Sequence, residues 1–201
     1  MREVSIEYMA GLFDGEGCVT WQERYGNKNG TPPVPFCKIQ MVDQKTLEIV
    51  YLTMKKYNVG TYMIKNLHSP SLRNNNRQPE THLVWAGALR ARALLELLLP
   101  HLITKRRQSL ALLAYIYSRH ISLQGHSKRI KHGQGGKYIK GSVTPLTENE
   151  LGLLRYIREL NKRGIHIPNE HTPYSDIEKM CSELYRKYTE VAEMTTRLEK
   201  G

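Results

Sequence analysis

The chain has 201 residues, 40% of them hydrophobic and 24% charged, with 30 Lys plus Arg against 19 Asp plus Glu for a net charge of +11. Such a chain is long enough for one domain with a real core plus an appendage, and its composition excludes a mostly disordered protein. No apolar run reaches membrane-spanning length, no signal peptide is expected, and Cys18, Cys37 and Cys181 lie far apart without CxxC spacing, which argues against a disulfide scaffold or a zinc module.

Ser5 to Phe13 reads as a short helix, with Ser5 as N-cap and Ile6, Met9, Ala10 and Phe13 at helical spacing. Glycines mark its end. From Cys18 to Lys28 the period changes to two: Val19, Trp21 and Tyr25 share one face, and Thr20, Gln22, Arg24 and Lys28 the other. Residues 27–35, which start inside the run GNKNG (residues 26–30) and hold paired prolines, read as a connection. A second strand, Phe36 to Val42, sets Lys38 and Gln40 opposite Cys37, Ile39 and Met41. Asp43 caps a helix reaching about Tyr57, and a polar hairpin follows, with strands near Thr61 to Leu67 and Thr81 to Trp85. Ala88 to Leu99 is an apolar helix stopped by Pro100, and Lys105 opens another through Tyr117.

This order predicts an α+β domain over residues 1–120, with four antiparallel strands backed by helices. Residues 121–144, containing HGQGGKYIKG, read as a basic, flexible linker. Residues 145–201 form a helical C-terminal extension, opened by capping boxes at Thr147 with Glu150 and at Ser175 with Glu178. Its last helix repeats apolar residues at 4-3 spacing, suited either to a short coiled coil or to packing on its own domain. Large aromatics usually supply burial, so Trp21 and Trp85 are expected in the core.

The charge is uneven. Residues 1–100 carry +3, residues 101–140 carry nine basic and no acidic residues, and residues 141–201 carry −1. The middle block reads as a footprint for a polyanion or as a solvated helix face with a basic tail, and the lack of any acid within it favours nucleic acid.

The informative segment is Met9-Ala-Gly-Leu-Phe-Asp-Gly-Glu-Gly17. Ala10, Gly11 and Gly15 remove bulk from a helix, so a second helix can approach closely. Asp14 and Glu16 fall where the helix dipole is negative and disfavours more negative charge. If two such helices pair about a two-fold axis, both Glu16 carboxylates converge, at a cost in free energy unless a hard divalent cation such as Mg²⁺ bridges them. The structural alternative is a Gly-rich helix end with incidental acids.

The A-G-L-F-D-G-E-G run resembles the LAGLIDADG motif of homing endonucleases, and the likeness extends from about Ile6 to Tyr117. The fold it implies is a four-stranded antiparallel DNA-binding saddle. One copy of the motif implies the homodimeric form, paired through the motif helix at Ala10, Gly11, Asp14 and Gly15. The activity implied is site-specific double-strand cleavage of DNA at a near-palindromic target, leaving 3′ overhangs, with Mg²⁺ or another divalent cation such as Mn²⁺ and no small-molecule cofactor.

The resemblance makes Glu16 the metal ligand, with the carbonyl of Gly15 adding an oxygen, and gives Asp14 a supporting role at the helix end. Gln44 resembles the family's residue that positions water, and Lys105 its basic residue that stabilises charge on the phosphate. Where relatives often have a second basic residue, this chain has Glu48, leaving Arg106 or Arg107 for that role. The implied DNA-facing set is Thr20, Gln22, Arg24, Lys28, Lys38, Gln40, Lys65, His82 and Val84, with Arg73, Arg77, Arg106 and Arg107 near phosphates. Competing readings on the same fold are an RNA-splicing maturase and a non-catalytic DNA-binding regulator. The extension could instead be a separate interaction module. A phage or bacterial cytoplasm and an encoding organelle both suit the chain.

Overall fold

The computed structural model describes residues 3–23, 32–65, 80–124, 145–162 and 174–200, without the side chains of 65, 123, 124, 174, 175 and 191–200. In chain order the elements are α1 (Ile6–Glu16), β1 (Gly17–Gln22), β2 (Val34–Met41), α2 (Gln44–Lys56), β3 (Tyr62–Lys65), β4 (Thr81–Ala86), α3 (Ala88–Leu98), a single 3-10 turn (Leu99–His101), α4 (Arg106–Gln124), α5 (Glu148–Leu160) and α6 (Tyr174–Lys200). The four strands form one sheet ordered β1-β2-β4-β3, and β4 runs antiparallel to both β2 and β3. This is the expected α+β architecture.

Contacts group the chain into two compact units, residues 1–20 with 35–109 and residues 21–34 with 110–201. The core of the first comes from period-matched apolar faces. Met9, Ala10 and Phe13 of α1, Leu47, Val50 and Met54 of α2, and Ala91, Leu94, Leu95 and Leu98 of α3 are fully buried with Cys37, Ile39, Leu83 and Trp85 of the sheet. Each large apolar side chain so buried contributes about 1.5–3 kcal/mol against exposure. Burial pushes the Cys37 thiol far up, so it stays a neutral hydrophobe.

Local chemistry sets the ends of these elements. Ser5 accepts the amide of Tyr8 at 3.2 Å, and Asp43 accepts the amides of Lys45 and Thr46 at 3.0 and 3.3 Å. Before α3 the chain turns through Gly87 at φ +91°, which a Cβ would strain, while its N–H donates to Pro35 O at 2.9 Å.

In the second unit α4 is buried at every position from Leu110 to Tyr117, so it has no solvent stripe over two turns. It continues to Gln124, beyond the expected Tyr117. The Thr147 and Glu150 capping box opens α5, whose Leu153, Leu154 and Ile157 are buried. Ile177 and Cys181 of α6 are buried as well. The Tyr188 ring lies 5.2 Å from Tyr117 and 4.7 Å from His120, so the described part of the 4-3 pattern, up to Tyr188, serves packing within the chain. The helix begins one residue before Ser175, which is therefore not its N-cap. The glycine-rich stretch of residues 125–144 lies outside the described residues. Among the described residues no helix is long and apolar enough to cross a membrane.

Candidate active site

At the C-terminal end of α1 the last turn holds two acids and no base, against the preference set by the helix dipole. The two have different surroundings. Asp14 is tied to the segment that leads into α4: its carboxylate accepts the N–H of Ile103 at 2.7 Å, the N–H of Lys105 at 2.9 Å and the hydroxyl of Thr104 at 3.0 Å. Burial alone would raise its pKa, but these donors outweigh it and hold the carboxyl below its ordinary value. The Asp14 carbonyl also accepts the Thr104 hydroxyl at 3.2 Å and the Lys105 ammonium.

Lys105 is thereby fixed at the end of the motif helix. Burial lowers the pKa of its ammonium, while Asp14, Cys18 and Glu16 oppose the shift. Glu16 is exposed, and among the described residues it makes no hydrogen bond or ion pair. Asp14, Lys105 and Glu16 thus form one cluster, half-buried except for a carboxylate that is open to solvent.

The small residues of the motif divide between two faces. Ala10 lies in the core beside Met9 and Phe13. Gly11 and Gly15 are exposed, and no atom lies within 4 Å of where their Cβ atoms would stand. At 100° per residue they sit about 40° apart, so they line one open stripe. Gly17 is the opposite case, since a Cβ there would fall 2.3 Å from Phe13 O and 2.6 Å from the Phe13 ring. It lets the chain leave the helix directly into β1.

Gln44, the first residue of α2, donates its amide to Glu48 at 2.5 Å and shares no described hydrogen bond with the cluster at α1. On the sheet, register places Lys38 across from Val84 and Gln40 across from His82. Lys38 donates to Gln40 Oε1 at 2.6 Å, Gln40 donates to Glu80, and His82 lies 3.8 Å from the same carboxylate. Burial lowers the pKa of His82, with Lys38 adding to the effect and Glu80 opposing it. Val84 occupies this face but is only 1% exposed, so it packs beneath the polar row.

Lys65 pairs with Thr81, and it is Ile64 that lies across from His82 and Tyr62 across from Val84. The face shared with Gln40 and His82 therefore takes Tyr62 and Ile64 from β3, because a one-residue step in a strand exchanges its faces. Tyr62 is exposed, with the Arg90 guanidinium 5.7 Å from its ring centre. Thr20 is half-buried and Gln22 exposed. Arg106 donates to Leu99 O at 2.8 Å and Arg107 is half-buried. Arg24, Lys28, Arg73 and Arg77 lie outside the described residues.

The sequence reading missed Glu80, Tyr62, Ile64 and Thr104. Glu80 sits directly before β4, and a strand-edge acid beside Gln40 and His82 becomes visible only once the register is known.

The donors offered to a cation are hard oxygens, namely the exposed Glu16 carboxylate and backbone carbonyl oxygen at the end of α1, which suit Mg²⁺ or Ca²⁺ rather than a softer metal. No group of three His, Cys, Asp or Glu gathers among the described residues. The chemistry of these donors fits a hard divalent cation.

No family model matches the chain and no curated protein matches its sequence. Solved structures do. The archaeal intron-encoded homing endonuclease I-Vdi141I, complexed with DNA, superposes with a TM-score of 0.50 at 13% identity, over 89% of this chain and 95% of that one. The homing endonuclease I-CvuI, in complex with its target in the presence of 2 mM Ca, gives 0.48 at 15% identity over 89% and 93%. I-TnaI, another homing endonuclease, gives 0.47 at 14% over 91% and 99%. With the A-G-L-F-D-G-E-G run closing α1 and the sheet in this order, the chain has the LAGLIDADG homing-endonuclease fold.

Proposed function

We propose that the protein is a site-specific DNA endonuclease that hydrolyses phosphodiester bonds with a divalent cation and acts as a homodimer paired through α1. The observation that carries this reading is the cluster at the end of α1, where Asp14 uses its bonds to residues 103–105 to hold the Lys105 ammonium at the end of the helix that carries Glu16. An acid exposed at a helix C-terminus costs about 0.3–1 kcal/mol, which a bound cation would offset.

Glu16 is the cation ligand, with the Gly15 carbonyl as a further oxygen, and the second chain supplies the matching pair. The bound cation would neutralise phosphoryl oxygens and lower the pKa of an attacking water. Lys105, held by Asp14, presents positive charge to the scissile phosphate. Gln44 is the water-positioning residue, its amide oriented by Glu48. The polar row of the sheet reads bases. Lys38 and Gln40 have the donors for guanine and adenine edges, each good contact being worth about 1–3 kcal/mol of discrimination. Gly11 and Gly15 leave the open stripe on which a second α1 can sit.

The test is incubation of the protein with duplex DNA from around its own reading frame, with the host element removed, in Mg²⁺ and in chelator. The account expects cuts in both strands with short 3′ overhangs in Mg²⁺ alone. Intact DNA under both conditions, or equal cutting in chelator, would overturn it.

A further inference from the structure

Trp21 in β1 and Pro33 just before β2 group with the second unit, and each is fastened by one of its helices. On the β1 side, the Trp21 indole N–H donates to Leu154 O of α5 at 3.0 Å, and the Arg158 guanidinium of the same helix stands 4.6 Å from the centre of the Trp21 rings. Trp21 is therefore half-buried against a helix and is not a core residue of the sheet. On the β2 side, the hydroxyl of Tyr115 in α4 donates to Pro33 O at 3.0 Å. Burial raises the pKa of that phenol to about 12, so it remains a donor at neutral pH.

The two helices are in turn locked together. Glu150, fully buried at the start of α5, accepts from Ser118 at 3.2 Å and from Arg119 at 3.4 Å, both in α4, and from the Thr147 N–H at 2.8 Å. Arg119 also donates to Pro145 O at 3.1 Å. A buried ion pair adds little net stability compared with an apolar pair of the same volume, yet it is costly to break by removing one partner, so it serves to fix position. The ties run from Trp21 through α5 and α4 to Pro33.

We propose that α5 is a strut that fixes the end of β1 at Trp21 and the approach to β2 at Pro33, with Trp21, Arg158 and Tyr115 as positioning residues for target recognition. This rests on the DNA-cutting reading above. It gives residues 145–160 a part in reading the target without touching it, since a shift of an ångström at these two points misplaces side chains such as Gln22 that β1 would present to a groove.

The test compares the full-length wild type with Trp21→Phe, Arg158→Ala, Arg158→Lys and Tyr115→Phe. Trp21→Phe keeps the ring and removes the N–H. Arg158 is exposed, so its variants fold. Hydrogen exchange on the free protein is expected to be about fivefold faster at the amides of β1 in Trp21→Phe and Arg158→Ala. At those of β2 the same change is expected in Tyr115→Phe. Amides of α2 should be unchanged and Arg158→Lys partly restored.

Selection of bound duplexes from a random-sequence library should then show lost preference at flanking positions with the centre retained. Unchanged exchange would overturn the strut. Faster exchange with the same preference, or with preference lost evenly at all positions, would overturn the positioning role. A wild type that recovers no preferred sequence would overturn the function proposed above and the positioning role with it, and the exchange data tell these failures apart.

Discussion

Two acids two residues apart, Asp14 and Glu16, do different work because one meets donors and the other meets water. Asp14 accepts from Ile103, Thr104 and Lys105. Hydrogen bonds to a charged group are worth about 1.5–3 kcal/mol each when well formed, and partial exposure reduces that, so Asp14→Ala is expected to cost about 2 kcal/mol in urea unfolding. It should also lower cleavage, because the anchor of Lys105 is lost. Its pH dependence has a definite sign. A carboxyl whose folded pKa lies below the unfolded value contributes stability that is complete above the unfolded pKa of about 4. That contribution is lost as pH falls through the lower, folded value. The stability gap between wild type and Asp14→Ala, measured across that range, should therefore be constant above about pH 5 and shrink in stronger acid. Lys105→Met should slow cleavage about 100-fold, a magnitude usual for removing one group that stabilises charge in the transition state, while leaving a folded chain by circular dichroism.

At the scale of elements, the junction from α1 to β1 depends on Gly17. A methyl group there would meet the Phe13 carbonyl at 2.3 Å, and that oxygen belongs to the backbone. Gly17→Ala is expected to cost about 1–3 kcal/mol by thermal unfolding, as overpacking does. Much of this layer was legible from spacing and caps. Asp43, the Thr147 and Glu150 box and the alternation of Cys37 and Ile39 with Lys38 and Gln40 all use local rules, and the structure follows them. What was not legible depended on partners distant in sequence. Glycines at 15 and 17 read as a helix end near Phe13, yet α1 runs to Glu16 because residues 103–105 hold its last turn through Asp14. The face on which each β3 residue falls was set by pairing with β4, which propensity cannot supply. The cluster was half legible. The motif singled out Glu16 and Lys105 separately, but bonds spanning about ninety residues leave no local trace.

At the scale of the whole molecule two chains are required, since among the described residues the cluster at the end of α1 provides one exposed carboxylate, Glu16. Gly11 and Gly15 separate pairing from folding. Alanine is the better helix former by about 0.8–1 kcal/mol per residue, and both sites have open space. Gly11→Ala with Gly15→Ala should therefore raise the unfolding temperature of the isolated chain while sedimentation shows the mass falling from two chains to one. A pair that survives both substitutions would place the interface elsewhere. The most direct measurement compares wild type and Glu16→Gln on the same target duplex in Mg²⁺, with DNA affinity and melting temperature recorded beside the cutting rate. Glu16 is exposed and bonded to nothing described, so stability should stay within about 0.5 kcal/mol. DNA affinity should be unchanged, and cleavage should fall on the order of 1000-fold. Equal cutting by the two proteins would contradict the assignment of this carboxylate to the chemistry.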